Sequence, residues 1–469
     1  MKKLAFFLSF FPLISTASDY SCEQEFNWLK KTFENNDAGF QYALSQKGEK
    51  NYLEHNKASL KAIKNADDIS DCHQRLQQWL LFFREGHIGL SLNVKKENNA
   101  FVHKFNKTEF QQHLNNKTKE DIEGIWLLPS YTVGLKKEGS DYNGYVIEST
   151  NSKWQPGQLK LILNEENDGT YKATYYMADH SIRHVDSVGF IDQNHLSLGN
   201  NWLTLSRQNP KEESKAEVLQ YVQLMESKTP LVQQLSKETA LLRIPSFSYT
   251  DKKHIDTVIR DNLETILSTE NLIIDIRGNG GGSDISYEEI LPIIYTNPIR
   301  NVGVEFLSTP LNNSRMLKFI DDENFSDDDK KWAKEGYKTL QQRLGQFVNL
   351  DAQSVSVKKL ENVNPLPKKV GILIDESNGS TAEQFLLAAK QSYKVKLLGA
   401  PTRGVLDISN MHQVDSPSKN LTLHYSLSKS LRVPEMTIDG KGIQPDFYLD
   451  SSIPAYQWVS YTRGMLEEM

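Results

Sequence analysis

The C-terminal half of this 469-residue chain is paced by apolar runs of about five residues with helical stretches between them. Ala240–Ile244, Leu272–Ile276, Val370–Asp375 and Lys396–Gly399 read as strands, and His254–Leu267 and Thr381–Ser392 as helices. Runs this short, without alternation of apolar and polar residues, fit strands buried on both faces. Joined by helices, they form βαβ units around a mostly parallel sheet. The polar stretch Asp321–Lys331 starts a surface helix.

Two other textures precede this half. From about residue 20 to 86 the pattern is helical, with Phe26, Leu29 and Phe33 at helical spacing, then Leu76, Leu80 and Phe83. Ser70 reads as the N-cap of the last helix and Gly86 as its C′ glycine. His87 follows directly, and Ile88, Leu90 and Leu92 alternate into a short strand. From about 120 to 208 the period becomes two. Tyr131–Lys136, Tyr145–Glu148, Leu159–Leu163, Tyr171–Met177, Ser187–Ile191 and Trp202–Leu205 are strand candidates. Turns such as Glu138-Gly-Ser-Asp, Asn167-Asp-Gly and Gly199-Asn-Asn separate them. Such spacing predicts an antiparallel barrel or sandwich, and Lys211-Glu-Glu-Ser-Lys reads as the polar link onward.

The first residues are of a different kind. Lys2 and Lys3 precede the 11-residue run Leu4–Ile14, and small residues follow at Ser15, Thr16, Ala17 and Ser18. This is the layout of a secretory signal peptide cleaved near Ala17 or Ser18; the run is too short for the roughly 20 apolar residues of a membrane span. Asp-Tyr-Ser before Cys22 is no lipid-attachment sequence. The expected product is an exported protein, periplasmic or extracellular, with no integral membrane segment after cleavage. In such a compartment the only cysteines, Cys22 and Cys72, are expected to pair. Closing that loop of about 50 residues contributes about 3–4 kcal/mol.

The predicted organisation is a signal peptide over 1–18, a helical region over 19–95 carrying His87, an all-β accessory domain over 96–210 and an α/β catalytic domain over 211–469. A net charge of −6 with no Lys/Arg run speaks against a nucleic-acid partner. The 11 histidines form no cluster with the two cysteines, so neither a metal nor another cofactor is expected.

Three segments could carry chemistry. Asn271-Leu-Ile-Ile-Asp-Ile-Arg-Gly-Asn-Gly-Gly-Gly is a strand entering a glycine-rich loop, where backbone N–H groups can converge on a ligand. It lacks the Gly-Lys-Ser/Thr of a phosphate loop and breaks the dinucleotide pattern. An oxyanion-binding loop and a plain tight turn stay equally open. In Val370-Gly-Ile-Leu-Ile-Asp-Glu-Ser-Asn-Gly-Ser-Thr-Ala-Glu, Ser380 opens a helix. It stands in the field of that helix's N–H groups, yet Ser380-Thr-Ala-Glu383 also spells a capping box. Gly86-His87-Ile-Gly sets a histidine at a helix-to-strand turn. A serine nucleophile needs such a base within hydrogen-bond reach, and a purely structural histidine fits the turn as well.

The Leu272–Gly282 and Gly379–Glu383 segments, about 100 residues apart, resemble the tail-specific (carboxy-terminal processing) serine peptidase family. Relatives of that family include the tricorn core protease and retinoid-binding repeat modules. Arg243-Ile-Pro-Ser-Phe, Leu398-Gly-Ala-Pro-Thr-Arg-Gly and Ile438-Asp-Gly-Lys-Gly-Ile-Gln-Pro-Asp446 extend the likeness over roughly 240–450, and Gly86-His87 matches the family's short motif upstream. The resemblance implies a Clp-protease/crotonase-like α/β spiral with peptide or protein substrates. It places the nucleophile on Ser380 and the oxyanion donors on the Thr381 N–H and a loop N–H at Gly281. Val405 stands where the Ser-Lys members carry their lysine. The likeness is therefore to the tricorn-like branch, with His87 as base and Asp439 as its acidic partner; Glu383 is the other acid that could orient the base. No Gly-Leu-Gly-Phe-like PDZ loop is present. The implied activity is serine peptidase, with a serine esterase or a catalytically silent binding module as the other readings.

Overall fold

The computed structural model describes residues 21–93, 105–115, 122–199, 202–323, 326–351 and 353–468. The expected leader and its cleavage site lie outside these. The chain divides into two compact units, one from residues 1–94, 307–345 and 410–427, the other from 95–306, 346–409 and 428–469.

In the first unit, four helices form in order: α1 (Cys22–Asn36), α2 (Phe40–Lys47), α3 (Glu49–Ile63) and α4 (Ile69–Leu81). Phe26, Leu29 and Phe33 of α1 and Leu76, Trp79 and Leu80 of α4 are buried, with the Phe26 and Phe33 rings packed on Trp79. The rings of Phe33 and Phe83 lie 4.9 Å apart. Cys22 and Cys72 are disulfide-bonded, tying the start of α1 to α4. Two sequence-based expectations shift here. Asp68, not Ser70, caps α4, because its carboxylate accepts from both Ser70 and Asp71 N–H groups at 2.8 Å. The helix also stops at Leu81, closed by the Phe83 N–H on Leu80 O. Gly86 is thus not its C′ residue, and His87 rather than Gly86 takes the left-handed conformation, with φ 52°. The strand after it, β1 (Gly89–Leu92), pairs antiparallel with Leu421–His424. The polar stretch starts its helix at Asp327, capped by Ser326.

The second unit holds a closed barrel of eight antiparallel strands: β2 (Gly124–Leu128), β3 (Tyr131–Glu138), β4 (Asp141–Ser149), β5 (Leu159–Glu165), β6 (Tyr171–Tyr176), β7 (Ile182–Asp192), β8 (His195–Leu198) and β9 (Leu203–Asn209). Pairing of β2 with β9 closes it and decides barrel over sandwich. Inward residues such as Trp126, Val133, Leu135, Leu161, Leu163 and Leu205 fill its interior, as expected for an eight-stranded barrel.

The same unit holds a six-stranded sheet in the order β10 (Leu231–Gln234), β11 (Thr239–Arg243), β12 (Asn271–Asp275), β13 (Lys369–Ile374), β14 (Val395–Gly399) and β15 (Phe447–Tyr448). Only β10 runs antiparallel. Leu272, Ile274, Val370 and Ile372 face one buried layer, and Leu241, Ile273, Leu373 and Leu398 the other. This two-sided burial is why the runs are unbroken apolar. The expected helix His254–Leu267 forms as two pieces, Lys252–Asp261 and Leu263–Ser268, interrupted at Asn262. Among the described residues no helix is long and apolar enough to cross a membrane.

Candidate active site

β12 and β13 are parallel neighbours with Asp275 opposite Leu373, so the loops that follow them leave the same edge of the sheet side by side. Buried polar side chains lace these loops together. Both Asp375 carboxylate oxygens accept from the Gly278 N–H at 3.0 Å. Asn378 donates to Asn279 O at 3.1 Å and accepts from the Asp375 N–H at 2.8 Å. Asn279 donates to Ile244 O at 3.2 Å and accepts from the Gly281 N–H at 3.0 Å. Asn279 and Asn378 are fully buried, where an unsatisfied amide would cost about 1–3 kcal/mol. Burial, with the Glu376 charge adding to it, pushes Asp375 up to about 6.

Ser380 stands at the start of the Thr381–Ala389 helix, but not as an ordinary cap. The capping residues Ser21, Asp68, Asn106, Thr309 and Ser326 all have extended backbones, as caps normally do. Ser380 has φ 57° and ψ −124°, a conformation costing a non-glycine residue of order 1–3 kcal/mol. The glycine loop lies directly against this turn. A Cβ on Gly281, whose φ is 103°, would fall 2.6 Å from Gly379 O, 2.8 Å from Thr381 N and 2.9 Å from Ser380 Cβ. No side chain fits there. On the other flank a Cβ on Gly379 would lie 2.7 Å from Val405 Cγ2, so Val405 packs its hydrocarbon against the turn.

Glu383 holds the turn from below. Its fully buried carboxylate accepts from the N–H groups of Ser380 (3.2 Å), Gly404 (2.7 Å) and Val405 (2.9 Å) and from Thr402 Oγ1 (2.6 Å). Burial raises its pKa, and these four donors work against the rise. One carboxylate thus binds the strained serine to the Pro401-Thr-Arg-Gly loop.

Asp439 lies one layer further out. Gly440 N–H donates to Gly404 O at 2.9 Å, setting the 438–442 turn on the loop that Glu383 holds. The Asp439 carboxylate accepts from the N–H groups of Asp407 (2.6 Å) and Ile408 (3.2 Å). Asp407 in turn accepts from the Asp439 N–H at 3.0 Å and from Arg432 at 2.8 Å. Burial first, then the neighbouring Asp407 and Glu383 charges, push Asp439 up to about 7.

The structure therefore gathers Ser380, Thr381, Gly281 and Glu383 into one constellation, with Asp439 joined to it through Gly404. His87 belongs to the first unit. There it is half-buried, and its carbonyl accepts from Arg84 (2.9 Å) and from Ser426 Oγ (3.0 Å), which hold its left-handed turn. Arg84 is itself fixed by a two-pronged pair with Asp37 at 2.7 and 2.6 Å. Asp375, Asn279, Asn378 and Asp407 were not singled out from sequence. One signal for Asp375 was present, since both central strands end an apolar run in an aspartate. No group of three or more His, Cys, Asp or Glu placed to hold a metal occurs among the described residues.

Residues 238–449 match the family model for peptidase family S41. No curated protein matches the chain in sequence. Among solved structures, mature CPAF complexed with lactacystin is similar at a TM-score of 0.52, with 13% identity over 96% of this chain and 98% of that one. A CPAF mutant gives 0.53, with 14% identity over 95% and 96%. The photosystem II D1 C-terminal processing protease gives 0.40, with 12% identity over 95% and 97%. At these identities the two CPAF structures speak for the fold alone.

Proposed function

We propose that this chain, whose residues 238–449 match the model for peptidase family S41, is an exported serine-type peptidase that cleaves peptide bonds through an acyl-enzyme on Ser380. His87 is the general base. It takes the proton from Ser380 Oγ as Oγ bonds to the substrate carbonyl carbon. The carbonyl electrons move onto oxygen, which the Thr381 N–H and the Gly281 N–H receive; Gly281 exchanges its Asn279 acceptor for the oxyanion. His87 then protonates the leaving amine as the C–N bond breaks. Water repeats the sequence to free the acid. Asp439 supports the imidazolium, while Glu383 fixes the backbone of Ser380. The same reading takes the parallel sheet as part of a Clp-protease/crotonase-like spiral.

The observation that carries this is the backbone of Ser380. Five other helix caps are relaxed and this one is strained, with a side-chain-free loop pressed against it. A cap needs neither feature, whereas a nucleophile beside an oxyanion site needs both. Export is supported by the leader-like residues 1–18 and by a disulfide close behind them.

A fluorophosphonate probe tests the reading. Wild type is expected to label, and Ser380→Ala and His87→Ala to lose labelling, while Lys390→Ala and Lys441→Ala keep it. Folded wild-type protein that does not label would make the chain a silent binding module. Ester turnover without peptide turnover would make it an esterase.

A further inference from the structure

The serine turn carries one charge on each side. On the glycine-loop side, Thr381 Oγ1 donates to Asp284 Oδ1 at 3.0 Å, which sets a partly buried carboxylate beside the residue whose N–H is the proposed oxyanion donor. On the opposite side, the Arg403 side chain lies along Gly379. Its Cβ and Cδ are 3.7 Å from where a Gly379 Cβ would be, and its N–H donates to Asn378 O at 2.8 Å. Among the described residues neither charge has an ion-pair partner. Glu288, the acid that acts electrostatically on Asp284, pairs with Lys358 at 3.4 Å. The half-buried Arg84 and the buried Arg243, Arg277 and Arg432 each have a carboxylate.

An extended peptide advances about 3.4 Å per residue, so the side chains next to a bond at Ser380 would lie on the scale of Gly379 and Thr381, the residues that Arg403 and Asp284 touch. We infer that Asp284 and Arg403 are specificity-determining charges, selecting a cationic side chain on one side of the scissile bond and an anionic group on the other. This rests on Ser380 being the reacting residue. The order of the two charges matters, because the reversed order sets like against like.

The test uses three peptides that differ only at the two positions flanking the central bond: Lys-Glu, Glu-Lys and Gln-Gln. Binding is read by fluorescence anisotropy on Ser380→Ala protein, and turnover on wild type. One charged order should exceed the neutral peptide by about fivefold in both readouts, a size set by partly solvated charge pairs, and the margin should shrink with added salt. The double variant Asp284→Arg/Arg403→Glu should prefer the opposite order. Equal binding of all three peptides, or a preference that survives the double variant, overturns the inference. Binding preference that inverts as expected, with no turnover of any peptide by wild type, would fail the catalytic reading and overturn the inference as one about a scissile bond. A melting temperature within a few degrees of wild type verifies that the double variant is folded.

Discussion

Asp275 in the parallel sheet and Lys160 in the barrel are both fully buried, and their surroundings could hardly differ more. Asp275 shares its charge with two guanidiniums, Arg277 at 2.7 and 3.0 Å and Arg243 at 3.5 Å. Burial would raise its pKa, yet the two arginines hold it below the ordinary carboxylate range. Among the described residues Lys160 has no carboxylate in ion-pair contact. Its ammonium faces the rings of Tyr131, Trp154 and Tyr175 at 3.9, 4.0 and 4.5 Å and donates to Tyr176 O. Burial pulls its pKa down to about 7, against the more distant Asp179. The sheet keeps its charge by matching it, while the barrel tolerates a charge by shielding it and stands ready to discard the proton. The matched charges flank the candidate site: Arg243 and Arg277 pin the carbonyls of Arg277 and Ala455 as well as Asp275. Rigid placement of these loops needs charges that stay on.

The sharpest way to break the comparison is to remove the centre of the matched set. Asp275→Ala leaves two buried guanidiniums unpaired, and losing one partner of a buried ion pair costs about 3–5 kcal/mol. Urea denaturation should show that loss. A drop below 1 kcal/mol would mean the arginines find other partners and that matching is not what holds this edge.

The unmatched groups of the second unit should betray themselves by pH, with opposite signs in adjoining windows. Asp439 titrates near 7 when folded and near 4 when unfolded. Between those values the folded state binds the extra proton, so stability falls as pH rises from about 4 through 7. The slope is at most about 1.4 kcal/mol per pH unit for one proton. Asp439→Asn should flatten part of it, with the remainder carried by Asp375. An unchanged slope between pH 4 and 7 in the variant would show that Asp439 is ionised throughout.

The same contrast marks what could be read from sequence. The barrel strands announced themselves by alternation and turns, except Gly124–Leu128, whose Ile-Trp-Leu-Leu run does not alternate, and His195–Leu198, which is only four residues long. Barrel and sandwich share the same period; the pairing of β2 with β9, some 80 residues apart, is what closes the sheet. Around the site, Ser380, Thr381, Glu383 and the glycine loop were legible because their chemistry is local. Asp375, Asn279 and Asn378 were not, since each matters only once β12 and β13 are known to be parallel neighbours. The strain on Ser380 was likewise invisible, because a capping box reads the same whether or not its first residue is relaxed.

Lys160 offers the smallest effect and the finest test. Its folded pKa near 7 lies below the unfolded value near 10.5, so below pH 7 both states are protonated and the folded state bears the full cost of the buried charge. Above pH 7 the folded state sheds the proton first, and stability rises towards pH 10. Lys160→Met removes the charge and keeps most of the volume, but it also removes three ring contacts worth roughly 0.5–2 kcal/mol each at most. The two losses nearly offset, so the variant should gain only about 1 kcal/mol at pH 6, within the range seen when a buried charge gives way to an apolar side chain. That gain should shrink steadily as pH rises past 7. Urea midpoints at pH 6, 7.5 and 9 measure it, with barrel tryptophan fluorescence as the probe. A gain that holds constant across the three would mean Lys160 keeps its proton, and that the aromatic shell retains charge as firmly as the arginines retain Asp275.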